Sequence, residues 1–145
     1  MANTFDMEAI NVFLARHRVG RMGTVDEHGY PHVMPMWHTV FEGQLYISYR
    51  ALGKKKHANL LRNPKMSYTV DAGDDVDDYR GVQIQGDAEF VADADTLRRY
   101  QLAWTYRHFG SDDDPYYRTL TSVERTVVRL IPINIVTWGD QSLVP

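Results

Sequence analysis

Three segments carry apolar residues at helical spacing and end in residues typical of helix boundaries. The predicted helices run from Asp6 to about Arg18, from Lys55 to Asn63, and from Asp93 or Asp95 to Gly110. An aspartate at the start of the first and third segments is a common helix cap. Pro64 and Gly110 are typical stop signals, so each of the last two helices has a predicted end.

Elsewhere, apolar and polar residues alternate with the period of two that is typical of half-buried strands. The clearest alternation lies in Val82 to Val91, where Gly86 on the inward face predicts a bulge or a close backbone approach. Pro35 predicts an edge or bulged position in its strand, because proline lacks the N–H that a ladder requires. The predicted strands are Val19 to Val25, His32 to Phe41, Gln44 to Tyr49, Met66 to Val70, Val82 to Val91, and Thr126 to Trp138 with a bend at Pro132.

These elements predict a mainly β fold of the α+β kind, with six mostly antiparallel strands in a small barrel and short helices at its periphery. No internal repeat or linker divides the sequence, so residues 1–145 are expected to form a single domain. A barrel of this size fills its interior with side chains. A large ligand is therefore expected outside the barrel or between subunits.

Composition excludes several classes of function. The net charge of −3 argues against broad binding to nucleic acid, which requires a basic surface. The chain has no cysteine, which excludes disulfides and thiolate metal sites, and its histidines lack the spacing of a metal motif. The N-terminus has no uninterrupted apolar run and predicts neither a signal peptide nor a membrane span. A cytoplasmic protein without a bound metal is expected.

The segment from Ser48 to Lys65 concentrates basic residues in a chain that is acidic overall. Its basic residues are Arg50, Lys54, Lys55, Lys56, Arg62 and Lys65. The lysines sit where a strand ends and a helix begins, so backbone N–H groups at the helix start can join them around a phosphate. A solvated basic face is the competing interpretation, since charge runs commonly have no ligand.

A second informative stretch surrounds Pro35 in the second strand. Met34, Met36 and Trp37 are pliable or flat apolar residues suited to packing against an aromatic ring, although each is equally typical of a core. A strand with free backbone polar groups beside such side chains predicts a cradle for a planar heterocycle.

The two stretches occur in the order "RMGTVDEHGYPHVMPMWHTVFEGQLYISYRALGKKKHANLLRNPKMSYTVD", "YRGVQIQGDAEFV" and a terminal "PINIVTWG". This order of a turn with glycine and proline, a P-x-W strand, a K-x-x-N helix start and a glycine-centred strand resembles the pyridoxamine 5′-phosphate oxidase-like split β-barrel proteins, a fold also seen in FMN-binding proteins. Within that family the chain is most similar to the flavin and deazaflavin oxidoreductases that use coenzyme F-420.

The resemblance implies a homodimer with cofactor clefts between two barrels. It further implies that Lys56 and Asn59 form the K-x-x-N element, with Arg50, Lys54 and Lys55 near the phosphate. The strand Met34, Pro35, Met36, Trp37 would lie along the cofactor ring, while Ser48 and Trp138 would border the cleft. An extra residue in "RALGKKK" leaves the choice of lysine open.

The function implied is hydride transfer from reduced coenzyme F-420 to an electron-poor small-molecule acceptor such as a conjugated carbonyl, a quinone or a tetrapyrrole. An FMN enzyme on the same barrel is the first alternative. A non-catalytic protein that binds a flavin, a deazaflavin or haem is the second. No catalytic acid or base is assigned; Tyr79, Arg80 and His38 are candidate proton donors.

Overall fold

The structure is a computed structural model that describes residues 7–111, 113 and 124–139. Three helices and six strands lie within these residues. In chain order they are α1 (Met7–Arg16), β1 (Val19–Val25), β2 (Pro31–Phe41), β3 (Gln44–Tyr49), α2 (Lys55–Arg62), β4 (Lys65–Ala72), β5 (Arg80–Phe90), α3 (Ala94–Phe109) and β6 (Thr126–Trp138). The predicted elements are confirmed, with boundaries that differ by a few residues; the predicted cap Asp6 lies outside the described residues.

The six strands close into one antiparallel barrel in the order β1-β2-β3-β6-β5-β4. The predicted fold class, a mainly β antiparallel barrel with short peripheral helices, is therefore confirmed. The barrel consists of two meanders, β1-β2-β3 and β4-β5-β6, which meet along the β3–β6 pair and the β1–β4 pair. The β1–β4 pair is short, because only Arg21–Gly23 of β1 pairs with β4.

The β2 strand is only partly paired on one of its two sides. All of its residues from Pro31 to Trp37 pair with β1, whereas its pairing with β3 begins at His38. Pro35 lies in the first part, so its predicted edge position is confirmed. The missing N–H of a proline costs less in such a stretch than between two partner strands.

Helices close the barrel at both ends. Ile10, Phe13 and Leu14 of α1 are buried in the same apolar cluster as Leu60 of α2 and the inward side chains of the strands. The third helix, α3, packs outside the barrel, where Tyr100 and Trp104 form a second buried cluster with Tyr46 and Val127. The cavity that remains between α1 and the strands has only about 120 Å³, so a ligand of cofactor size has to bind at the outer surface of the barrel.

Two sequence signals are resolved at atomic level. Asp93 is the cap of α3, since its carboxylate accepts a hydrogen bond from the N–H of Thr96 at 2.8 Å. The other candidate cap, Asp95, instead pairs with arginines one turn further on. The predicted irregularity at Gly86 is confirmed, because the β5–β6 register shifts there and an added Cβ would lie 1.9 Å from the Ile131 carbonyl oxygen.

No helix in the described part of the chain is both long enough and apolar enough to span a membrane.

Candidate anion- and cofactor-binding site

The start of α2 follows a tight turn. The N–H of Lys54 donates to the carbonyl oxygen of Ala51 at 3.1 Å, and Gly53 adopts the left-handed φ of 69° that such a turn requires. Lys54 is the N-cap residue and makes no capping hydrogen bond with its side chain. The first turn of α2 therefore presents backbone N–H groups and lysine side chains together, as anion sites at helix starts do.

Lys56 and Asn59 lie one turn apart on the buried side of α2. Lys56 is only 9% exposed, and its ammonium lies 5.3 Å from the centre of the Tyr49 ring. No carboxylate pairs with it among the residues that the structure describes. Burial, Lys54 and Arg125 all lower the pKa of Lys56 from its ordinary value. An anion at this position would relieve that unfavourable environment.

Asn59 is fully buried and holds α2 against β1. Its Nδ2 donates to the Thr24 hydroxyl at 3.0 Å, whereas its Oδ1 has no hydrogen-bond partner in the structure. A buried polar atom without a partner is costly and is commonly satisfied by a ligand or water. The K-x-x-N pair predicted from the sequence is therefore brought together, with one unsatisfied atom.

Arg125, which sequence reasoning missed, adds a third cation beside Ser48. Its Nη2 donates to the Ser48 carbonyl oxygen at 2.9 Å and its Nε lies 3.3 Å from the Ser48 hydroxyl. The guanidinium also lies 5.3 Å from the Trp104 ring centre. Burial and the nearby Arg50 lower the pKa of Arg125. Arg125 precedes β6 by one residue, and no local pattern marks it as part of a site 70 residues earlier.

The other basic residues of the segment differ in their partners. Lys55 forms an ion pair with Asp26 at 3.2 Å, and Arg62 forms one with Glu27 at 3.0 Å. Both acids belong to the turn between β1 and β2. The exposed Arg50 and Lys54 have no such partner in the described residues. Among the described residues, the cations around the start of α2 that lack a carboxylate partner are thus Arg50, Lys54, Lys56 and Arg125.

A cavity of about 620 Å³ is lined by one of these cations, Arg50. Arg50, Leu52, Gly53 and His57 line it on the α2 side, with Glu124 and Thr126 at the start of β6. His57 is oriented by the Tyr49 hydroxyl, which lies 3.1 Å from its Nδ1. The cavity has the size of pockets that bind small molecules and cofactors.

The four residues predicted to lie along a cofactor ring do not form one surface. Met34 and Met36 pair with inward residues of β1, whereas Pro35 and Trp37 project to the opposite side. Trp37 stacks on His108 of α3 at 4.7 Å with nearly parallel rings, and Met34 is 41% exposed. Their assignment to a cofactor ring stays a prediction.

Trp138 lies at the far end of the barrel from α2. It pairs with Gly81 at the end of β6, whereas Thr126 at the other end pairs with Tyr49, next to the cations. Tyr79 lies beside Trp138, with ring centres 6.1 Å apart. Within one chain, the structure therefore does not bring Trp138 and the lysines together.

The three candidate proton donors occupy different environments. His38 is 1% exposed in the barrel interior, where Nε2 lies 2.7 Å from the Leu14 carbonyl oxygen and Nδ1 lies 2.9 Å from the Tyr68 hydroxyl. The Arg80 guanidinium donates to the Asp78 carbonyl oxygen at 2.9 Å, and Tyr79 is 46% exposed. Only the last two can contact a ligand at the surface.

The family model described as pyridoxamine 5′-phosphate oxidase matches residues 7–139. The chain is 28% identical over 132 residues to the 5a,11a-dehydrotetracycline/5a,11a-dehydrooxytetracycline reductase of Streptomyces rimosus, a match that covers 88% of this chain and 78% of the reductase.

Solved structures share the fold along almost the full chain. A conserved hypothetical protein from Mycobacterium tuberculosis is 28% identical with a TM-score of 0.82, covering 99% of this chain and 91% of that one. An FAD binding protein from Mycobacterium smegmatis is 19% identical with a TM-score of 0.68, covering 92% of this chain and 96% of that one. At the latter identity the likeness concerns the fold alone.

Proposed function

The chain belongs to the pyridoxamine 5′-phosphate oxidase family, and from that premise we propose that it is an oxidoreductase that uses coenzyme F-420. In this proposal a hydride passes from the reduced deazaflavin to an electron-poor small-molecule acceptor. The similarity to a dehydrotetracycline reductase supports a reductive role. FMN on the same barrel is the alternative cofactor.

The observation that carries the proposal is the cluster of four cations without carboxylate partners at the start of α2. FMN ends at its phosphate, whereas coenzyme F-420 continues from its phosphate into an acidic glutamate tail. Lys56 is buried and has no carboxylate partner among the described residues, so its ammonium fits a bound phosphate. The unsatisfied Oδ1 of Asn59 can only accept a hydrogen bond, so it fits a donor group of the ligand and not a phosphate oxygen. The more exposed Arg50 and Lys54 provide charge for carboxylates beyond it.

The coenzyme, when bound, supplies the hydride chemistry, and the protein's residues bind and orient it. Lys56 and Arg125 would hold the phosphate, because Lys56 is buried and Arg125 is half-buried, so that solvent screens their charges less than those of exposed residues. Ser48, fixed by Arg125, keeps its hydroxyl at the same end of the barrel. The exposed hydroxyl of Tyr79 is the proposed proton donor, since His38 is enclosed.

We further propose that the protein acts as a homodimer. One face of the sheet carries exposed apolar side chains, among them Val33, Ile133 and Val136, and no helix of the described chain covers them. Trp138 and Tyr79 lie at the opposite end of the same barrel from the cations. A second copy in the reverse orientation would place them next to the cations and complete the cleft.

Spectroscopy of the purified protein tests the cofactor. We expect a nearly colourless protein that binds added coenzyme F-420 more tightly than FMN and oxidises the reduced coenzyme when a quinone is supplied. A yellow preparation that releases stoichiometric FMN on denaturation would instead favour the alternative. Light scattering at micromolar concentration should give the mass of a dimer, and a monomer that still binds the coenzyme tightly would refute the dimeric cleft.

A further inference from the structure

Two ion pairs attach α2 to the turn between β1 and β2. Lys55, the first residue of α2, pairs with Asp26, and Arg62, its last residue, pairs with Glu27. The Asp26 carboxylate also accepts hydrogen bonds from the N–H groups of His28 and Tyr30, both at 2.9 Å. Its side chain is only 6% exposed, whereas that of Lys55 is 54% exposed.

This arrangement makes Asp26 a well-fixed acid and Lys55 its exposed partner. The carboxylate is held by two backbone N–H groups in addition to the ammonium. Burial alone would raise the pKa of Asp26, but the Tyr30 N–H, Lys55 and the His28 N–H together lower it. Asp26 therefore stays ionised at neutral pH and keeps attracting Lys55.

Lys55 lies between two lysines that have no carboxylate partner. Lys54 and Lys56 flank it in sequence, and the buried Lys56 marks a site with an unsatisfied positive charge. An anion bound there would attract Lys55 as well, because its long side chain can reorient at the exposed helix start. Asp26 and such an anion would then compete for the same ammonium group.

We propose that Asp26 is an internal competitor that withholds Lys55 from the anion-binding site at the start of α2. The proposal rests on the anion site of the proposed function and specifies which lysine does not serve it. Because Lys55 stays paired with Asp26, the protein binds polyanions less tightly than it would if every lysine of the segment contacted the anion. Asp26 would thus determine specificity, favouring ligands that need only the flanking cations.

A double-mutant cycle tests whether Asp26 withholds Lys55. Calorimetry at low salt measures the affinity of each variant for inorganic pyrophosphate. Asp26→Asn keeps an oxygen for the His28 and Tyr30 N–H groups but removes the charge. We expect affinity to rise about threefold, the effect of releasing one partly exposed ion pair. Lys55→Met alone should change affinity little, and the gain should disappear in the double variant.

Glu27→Gln provides the matched control, because it removes the same charge from the same turn but releases Arg62 at the other end of α2. We expect it to leave pyrophosphate affinity within about 1.5-fold of the parent. Unchanged or weaker binding by Asp26→Asn would overturn the proposal, as would a gain that persists without Lys55 or that Glu27→Gln reproduces.

Separate titrations with coenzyme F-420 keep the two ideas distinguishable. If the parent binds the coenzyme and Asp26→Asn binds pyrophosphate no better, the competitor role fails while the proposed function stands. If Asp26→Asn gains affinity for pyrophosphate through Lys55 but the protein does not bind coenzyme F-420, the competitor role stands and the proposed cofactor is wrong.

Discussion

Nη2 of Arg107 donates a hydrogen bond to the carbonyl oxygen of Leu14 at 3.0 Å, which joins α3 to the C-terminal turn of α1. The same guanidinium donates to the carbonyl oxygens of Ala15, His17 and His38. The last carbonyls of a helix lack partners within it and carry partial negative charge. One arginine therefore satisfies three carbonyls at the end of α1 and one on β2.

Replacement of Arg107 should destabilise the protein without touching the proposed site. We expect Arg107→Ala to lower the free energy of unfolding by roughly 2–3 kcal/mol, because several carbonyls lose a charged donor. Arg107→Lys should lose less of this free energy, because the lysine ammonium can replace some of the hydrogen bonds that the guanidinium donates. Urea unfolding measures the effect. Arg98→Ala on the same helix breaks only an exposed ion pair with Asp95 and should cost within about 0.5 kcal/mol.

His38 has a defined neutral form in the barrel. The Leu14 carbonyl can only accept, so Nε2 of neutral His38 carries the proton and Nδ1 is an acceptor. Nδ1 lies 2.9 Å from the Tyr68 hydroxyl, which also donates to the Met36 carbonyl oxygen at 2.9 Å. Burial lowers the pKa of His38 to about 4; Arg107 and His17 act in the same direction, and the Leu14 carbonyl opposes them.

This histidine should make the fold sensitive to acid. Unfolding restores its ordinary pKa of 6.5, so between about pH 6.5 and 4 the unfolded chain binds more protons than the folded chain. The free energy of unfolding therefore decreases as the pH is lowered through this range. From pH 7 to pH 5 we expect a loss of about 2 kcal/mol from His38. Chemical unfolding across this range measures it. His38→Gln should reduce the decline but not abolish it, because burial also lowers the pKa of His108 to about 4. The same change at the exposed His28 is the control and should leave the decline as in the parent.

Lys56 should contribute more to binding than the other lysines, since it is the buried one. Lys56→Met keeps an apolar side chain of similar length but removes the charge. We expect it to weaken coenzyme F-420 binding about tenfold or more, as expected for loss of a shielded charged hydrogen bond. Fluorescence titration measures the dissociation constants, and the difference between the parent and Lys56→Met should change little with added salt, because a buried charge is screened little. Lys65→Met is the control, because it removes the charge of an exposed lysine that follows α2. Equal losses of coenzyme affinity in the two variants would contradict a specific role for Lys56.

Gly86 should not tolerate a side chain. A Cβ there would lie 1.9 Å from the Ile131 carbonyl oxygen, which is backbone of the neighbouring strand and cannot rotate away. We expect Gly86→Ala to lower the free energy of unfolding by more than about 2 kcal/mol. Asp87→Ala introduces the same residue at the next position and serves as the control. Similar stability of the two variants in thermal unfolding would show that β6 adjusts at the bulge.

Local patterns predicted the fold because each strand and helix carries its own signal. The alternation around Gly86, the cap at Asp93 and the stop at Gly110 depend on neighbours in sequence, and the structure confirms all three. The antiparallel arrangement followed from hairpin connections, whereas the order of the six strands around the barrel was not predicted. These signals are short-range, so they could be read without knowing which distant residues meet.

The candidate site was predicted less completely, because its contacts join distant segments. Three consecutive lysines look alike in sequence, but successive residues of a helix point about 100° apart. Lys55 therefore meets Asp26 while Lys56 is buried against Tyr49. Arg125 donates a hydrogen bond to Ser48, which lies 77 residues earlier in the chain, and no periodic pattern in the sequence predicts such a contact.

The β1–β4 pair has the fewest paired residues of the barrel and joins its first strand to its fourth, which makes it the least secured seam of the fold. Three pairs, Arg21–Gly23 with Ser67–Thr69, join strands whose first residues are far apart in the chain. Closing so long a loop costs entropy that few hydrogen bonds offset. We expect amide hydrogens along this pair to exchange with solvent faster than those between β5 and β6, where pairing extends from Gly81 to Phe90. Mass spectrometry of deuterium uptake would measure this. When the barrel opens, we therefore expect β1 to separate from β4 while each of the two meanders stays intact.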